Sequence, residues 1–286
     1  MERFLYTINE ASIYKSLSEL LRVKEDVIRY YILRNYFKFT MPDLIDIKDF
    51  FNFIKNNDGV DCKEYTNICI HEVSLFHLTS RINNNVVNQK CEIYNLFDAL
   101  TQKTDISMFL ESNGFEFEQI DNTIQTRYLG KIIDWSQYFE GNEGPAARMI
   151  NRRLKGSNIV SVDKCINGFL FGGNISNNLD VSHIYYCPEI VENMLRVLNK
   201  HDLIKYWTDH STPYIITFKS NIEDIVFDWK PNLNNKQKVF RIYRYLLYYL
   251  GSKIKNQWSE NDNPIIRLKD EINVPAGNII SFDELH

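Results

Sequence analysis

Beyond residue 61 this chain passes between strand-like and helix-like stretches in an irregular order with no internal repeat. That order constrains the architecture more than any other feature. "TNICIHEVSLFHLTSRI" alternates in polarity and carries β-formers at Ile68, Ile70, Val73, Leu75 and Phe76, which is the period-two pattern of a strand. Residues 92–112 read as helix, and "GFEFEQI" with "NTIQTRYLG" reads as a hairpin. "PAARMINRRL" is a short helix with Pro145 in its first turn, where the missing N–H costs nothing. "GFLFGG" is a short apolar strand closed by a glycine turn. "PEIVENMLRVLNKHDLIKYW" reads as one amphipathic helix opened by Pro188, and "PYIITFKS" as a buried strand. "KQKVFRIYRYLLYYLGSKI" is a long aromatic helix, and "NPIIRLKDEINVPAGNIISF" closes the chain as two strands paired with each other. A doubly wound sheet needs regular strand–helix alternation, which is missing, so the expected class is α+β.

The first sixty residues have a different texture. Residues 8–36 read as helices, with Thr7 and Glu10 spaced as a capping box. "SLSELLRVKEDVIRYYI" places Leu17, Leu20 and Leu21 on one helix, Val23 in a turn, and Val27, Ile28 and Tyr31 on the next. This is a small helix-turn-helix pattern. It suits DNA recognition or an ordinary helical hairpin. A reading helix offers Arg, Lys, Asn or Gln near its start, whereas Glu25 and Asp26 stand there. "DIKDFFNFIKNN" adds a short helix that Asn57-Asp58-Gly59 ends. The expected domains are therefore an N-terminal helical module at 1–60 and an α+β domain at 61–286.

Composition excludes several classes. With 286 residues, 44% of them hydrophobic and 24% charged, the chain is neither disordered nor collagen-like. Charge is nearly balanced, with 33 basic and 37 acidic residues and a net −4, so no dominant basic face for nucleic acid is implied. No stretch of ~18 apolar residues free of charge occurs, so no membrane span is expected. Met1 to Thr7 is too short and mixed for a secretory signal. Five cysteines, at 62, 69, 91, 165 and 187, form no C-x-x-C pair, which suits reduced thiols. A cytoplasmic location is expected, and an effector exported without a signal peptide would carry the same features.

Several patterns carry chemistry. His77 in "LFHLTSR" shares a strand face with Thr79, opposite Phe76 and Leu78. An imidazole and a hydroxyl two residues apart can hold a polar ligand, or serve structure alone. Arg196 and His201 make R-x4-H on the helix at 189–207, similar to the signature of HEPN ribonucleases. Cys62, Cys69, His71 and His77 are metal-ligand types within 16 residues, without finger-like spacing. The helix 236–256 carries Lys236, Lys238, Arg241, Arg244, Lys253 and Lys255 among its aromatics. These cations could steer an anionic partner or line the wet side of a core helix. Gly172-Gly173 could admit a phosphate, or mark a turn that needs positive φ.

The succession of segments is more informative. "FHLTSR" comes first, then "NGFLFGG", then Tyr185-Tyr186 before a helix, then "PYIITFKS", and last a carboxylate before "INVPAGNIISF". This order resembles the ADP-ribosyltransferase fold of bacterial toxins and defence effectors, a split β-sheet core, here with helical insertions. The resemblance covers about 210 residues in order but only short segments in sequence. It implies NAD as substrate, with His77 orienting it and Thr79 and Arg81 reaching its ribose or phosphates. It implies that Tyr185 or Tyr186 stacks on nicotinamide. Glu271 becomes the catalytic carboxylate on a late strand, with Asp270 as competitor. "KDE" replaces the Q-x-E or E-x-E of enzymes that modify arginine. The implied partners are a macromolecular acceptor, protein or nucleic acid, and a neutralising partner. The rival from another class is a non-catalytic regulator that binds DNA or a partner.

Overall fold

The computed structural model describes residues 3–59, 70–82, 92–156, 164–228 and 230–285. In chain order the early elements are β1 (Phe4–Leu5), α1 (Glu10–Leu21), α2 (Glu25–Asn35), α3 (Ile47–Lys55) and β2 (Glu72–Ile82). Next come α4 (Leu96–Thr101), α5 (Asp105–Ser112), β3 (Phe115–Ile120), β4 (Thr123–Tyr128), β5 (Lys131–Ile132), α6 (Gly144–Lys155) and β6 (Asn167–Phe169). The last are α7 (Glu189–Val197), α8 (His201–His210), β7 (Ser211–Asn221), β8 (Ile225–Phe227), α9 (Asn235–Ile254), β9 (Ile265–Leu268) and β10 (Ile279–Glu284). The protein is thus α+β. Among the described residues no helix is long and apolar enough to cross a membrane.

Two compact units divide the chain. The first comprises Met1–His77, Asn167–Leu179 and Thr217–Arg267; the second comprises Leu78–Ile166, Asp180–Ile216 and Leu268–His286. The N-terminal helices thus share a unit with later segments, including α9.

In the first unit, α1, α2 and α3 bury Ile13, Leu17, Leu21, Ile28, Ile32, Phe50 and Ile54, and α9 buries Ile242, Tyr243, Leu246 and Leu250. The recurrence at three and four residues explains why these segments are helices, since it aligns one apolar stripe. Rings join them: Tyr31 lies 5.0 Å from Phe50, and Phe51 lies 5.1 Å from Tyr243. Each such side chain removed from water stabilises the fold by about 1.5–3 kcal/mol. Strands pair in the order β7, β2, β6, β9, β8, with β1 parallel to β2.

The capping box stands two residues later than the sequence suggests. Asn9 caps α1 and Ser12 completes the box. Thr7 is instead fully buried: its amide donates to Ser74 Oγ at 2.9 Å, and its hydroxyl shares a hydrogen bond with the Ser74 hydroxyl and donates to the Leu170 carbonyl at 2.5 Å. A hydroxyl in that position satisfies tertiary partners and has none left for a helix end. Lys238 departs from the expected wet side of α9. It is 4% exposed and donates to the carbonyls of Ile222 and Glu223 at 3.1 and 2.9 Å. Gly172 does not have positive φ. A Cβ there would meet the Phe76 ring at 2.6 Å, so close packing against that ring requires the glycine.

The second unit has its own core, in which Phe97, Leu110, Phe115, Ile124, Trp135, Ile150, Met194 and Trp207 are buried together. The expected hairpin is present, since β3 pairs antiparallel with β4 from Phe115↔Tyr128 to Ile120↔Thr123. β10 pairs with β7, whereas β9 pairs with β6, so the last two strands are not partners of each other. The helix expected at 188–207 is broken. α7 ends at Val197, Asn199 takes φ 56°, and α8 begins at His201. Asparagine tolerates that left-handed conformation better than most residues.

Candidate functional site

Strand β2 displays its residues as its period dictates. Phe76, Leu78, Ser80 and Ile82 are buried, while His77, Thr79 and Arg81 are half-buried on the opposite face. The His77 Nδ1 atom lies 2.7 Å from the carbonyl oxygen of Asn167. A carbonyl only accepts, so Nδ1 is the donor in this bond. Ser80, on the buried face, accepts from the Trp207 indole at 3.0 Å and locks the strand to α8. Arg81 has its Nε buried with no hydrogen-bond partner. Asp105, at the first position of α5, is buried, and that burial pushes its carboxyl above the usual range while the Arg81 charge opposes the shift. A guanidinium with an unsatisfied N–H beside a row of imidazole and hydroxyl offers donors to phosphate or ribose oxygens.

Glu271 stands in a turn after β9 rather than on a strand. The turn is closed by the Ile272 amide donating to the Lys269 carbonyl at 3.3 Å, and Glu271 takes φ 68°. Glycine is the usual residue there, because a Cβ is crowded in that region. The Glu271 side chain is 73% exposed and its Oε1 lies 3.0 Å from Lys164 Nζ. Lys164 is buried; it also donates to Asn122 Oδ1 and lies 4.7 Å from the Phe97 ring centroid. Two residues beyond Glu271, Asn273 is held by Asn95 and Asp98 at 2.6–2.9 Å. The segment that carries the carboxylate is therefore anchored to the start of α4. Tyr185 ends a 3-10 helix and is half-buried, and Tyr186 is 60% exposed.

His77 belongs to the first unit, and Thr79, Arg81, Tyr185, Tyr186 and Glu271 to the second. Thr79 and Arg81 are neighbours on one strand face. Asp270 is exposed.

Arg196 pairs with Glu143 at 3.1 Å and with Glu192 at 3.6 Å, and His201 sits on a different helix, so R-x4-H does not lie along one helix. Cys62 and Cys69 lie outside the described residues; among the described residues no group of three metal-ligand side chains gathers. Arg241 of α9 is tied to Asp43 at 2.8 Å. In the first unit Glu260 is buried, accepts from the Trp258 indole at 3.0 Å, and has its second oxygen buried without a partner. Lys164, Asp105 and Glu260 escape sequence reasoning because a lone charged residue in a polar stretch carries no sign of burial.

No family model, curated protein or solved structure matches this chain.

Proposed function

We propose that this protein transfers the ADP-ribosyl group of NAD to a macromolecular acceptor. The observation that carries the reading is the polar row on β2, where His77, Thr79 and Arg81 share the face opposite buried Phe76, Leu78 and Ser80. A dinucleotide presents ribose hydroxyls and a pyrophosphate, and this row supplies an imidazole, a hydroxyl and a guanidinium whose buried Nε has no partner. The segment order agrees with the same family, with its split sheet core as the finer architecture.

In the reaction the bond between ribose C1′ and the nicotinamide nitrogen breaks, and its electron pair leaves with nicotinamide. A nucleophilic atom of the acceptor forms the new bond to C1′ and gives its proton to solvent. The centre between these events is oxocarbenium-like, so a nearby carboxylate stabilises it by charge. Glu271 fills that role in this reading, its turn fixed by Lys164 on one side and Asn273 on the other. Tyr185 or Tyr186 supplies the aromatic face for nicotinamide. An enzyme of this kind acts as a toxin or defence effector and needs a neutralising partner in the cell that makes it.

The test is to incubate the purified protein with NAD and a lysate of protein and nucleic acid, then to measure free nicotinamide and labelled acceptor. Wild type releases nicotinamide and labels an acceptor. Glu271→Gln and His77→Ala lose both, and Arg81→Ala raises KM for NAD. Absence of release from the wild-type protein overturns the reading.

A further inference from the structure

One segment of the first unit is apolar on both sides. Between residues 28 and 45, Ile28, Tyr31, Ile32, Phe39 and Ile45 face inward and are buried. Five of the exposed positions are also large and apolar: Tyr30 is 51% exposed, Leu33 58%, Phe37 61%, Met41 59% and Leu44 70%. Tyr30, Leu33 and Phe37 follow at three and four residues, which places them along one side of α2 and its continuation at Tyr36–Lys38. The next turn, Pro42–Leu44, adds Leu44, and Met41 precedes it. A surface helix ordinarily presents polar residues to water, and an apolar outer face marks an interaction surface.

The charges say what covers it. From Val27 to Pro42 the chain carries Arg29, Arg34 and Lys38 and no acid. Arg29 is engaged, paired with Glu25 and lying 3.8 Å from the Tyr14 ring centroid. Arg34 and Lys38 belong to the outer face. Arg34 donates to the Tyr30 hydroxyl at 2.9 Å, and the Lys38 ammonium lies 5.9 Å from the Phe37 ring centroid. Among the described residues neither has an acidic partner. Asp43, the first acid after them, is neutralised by Lys230 at 3.1 Å and Arg241 at 2.8 Å. A second copy of this chain docking face to face would set the same cations against each other. An amphipathic helix of a partner protein prefers a groove, and these side chains project. Projecting aromatic and aliphatic groups with cations beside them suit a fluid surface of negative charge.

We propose that the face formed by Tyr30, Leu33, Phe37, Met41 and Leu44 docks on an anionic lipid surface, with Arg34 and Lys38 pairing with lipid phosphates. This goes beyond the transferase reading and does not depend on it. The experiment is co-sedimentation of the full chain with vesicles of phosphatidylcholine alone and of phosphatidylcholine mixed with phosphatidylglycerol. The protein sediments with the mixed vesicles only, and added salt releases it. Each cation near such a surface contributes about a fivefold gain in partitioning, so Arg34→Ala with Lys38→Ala weakens binding about 25-fold. Leu33→Ser with Phe37→Ser weakens binding to the same vesicles, and an unchanged melting temperature shows that these exposed substitutions leave the fold intact. Absence of sedimentation with mixed vesicles overturns the proposal, as does equal binding to neutral ones or indifference to both double substitutions. A solution dimer abolished by Leu33→Ser and Phe37→Ser, without vesicle binding, assigns the face to a second copy and likewise overturns it.

Discussion

Lys164 and Glu271 are 107 residues apart in sequence, and the buried ammonium of the first lies 3.0 Å from a carboxylate oxygen of the second. The pair is asymmetric. The lysine side chain is 4% exposed and the glutamate 73%, so water screens the attraction from one side only. An exposed partner limits the net worth of the pair to about 1 kcal/mol. Glu271→Gln is expected to cost about that much in urea unfolding. Lys164→Met leaves Asn122 without its donor and is expected to cost about 1–3 kcal/mol. Additive losses in the double variant would show that the two side chains are not coupled.

The backbone at Glu271 supports a second prediction. Its φ of 68° suits glycine, and a side chain there costs about 1 kcal/mol. Glu271→Ala and Glu271→Gly both remove the carboxylate, but only glycine relieves the turn. The glycine variant is expected to be more stable than the alanine variant by about 1 kcal/mol. Equal melting curves would contradict the left-handed turn.

Asp105 gives a pH dependence. Its burial raises the folded-state pKa, with Arg81 acting in the other direction. A raised carboxyl favours the folded state while it holds its proton. That contribution is complete below the unfolded value of about 3.9 and is lost as pH rises through the folded value. Asp105→Asn removes the loss. The stability of the variant relative to wild type should therefore increase from pH 4 toward pH 7, measured by denaturant unfolding at each pH. A difference that stays flat, or falls, would exclude a raised carboxyl at this position.

Asn273 accepts from the Asn95 amide and side chain and donates to Asp98 at 2.6 Å. Asn95 in turn caps α4 through the amides of Phe97 and Asp98. Asn273→Ala breaks these bonds and leaves the buried Asn95 short of partners. The expected cost is about 1–3 kcal/mol, with faster hydrogen exchange at Phe97 and Asp98. Exchange at those two amides as slow as in wild type would show that the network does not hold the helix start.

Buried phenols set the alkaline limit. Burial pushes Tyr14 up to about 12, offset in part by Arg29, and raises Tyr31 and Tyr249 further. A raised tyrosine stabilises the fold fully below the unfolded value of about 10 and less as pH climbs through the folded value. Absorbance titration should show part of the tyrosine signal appearing only together with alkaline unfolding. Tyr14→Phe should shift alkaline unfolding upward. A single wave of ionisation near pH 10 would refute this.

The sequence carries everything that depends on local periodicity. The stripe through Leu17, Leu20 and Leu21, the turn at Asn57-Asp58-Gly59 and the β3–β4 hairpin were all legible, because the residues that decide them are near neighbours. So was the alternation that puts His77 and Thr79 opposite Phe76 and Leu78, since a pleated strand leaves no other choice. The candidate site was less legible. Lys164 and Asp105 lie in polar stretches, and only contacts far along the chain bury them.

By itself, then, the sequence determined the apolar stripe of α1, the alternation along β2 and the β3–β4 hairpin, whereas residues 92–112, which it reads as helix, form two separate helices, α4 and α5. Tertiary structure alone decided that Asn9 rather than Thr7 caps α1, because Ser74 and Leu170 claim the Thr7 hydroxyl. It alone decided that the helix from Pro188 breaks at Asn199, and that β9 takes β6 as its partner while β10 takes β7. The physical reason is common to these cases. Hydrogen-bonding groups and apolar faces are local properties, but which partners satisfy them is chosen among groups brought close only when distant segments pack.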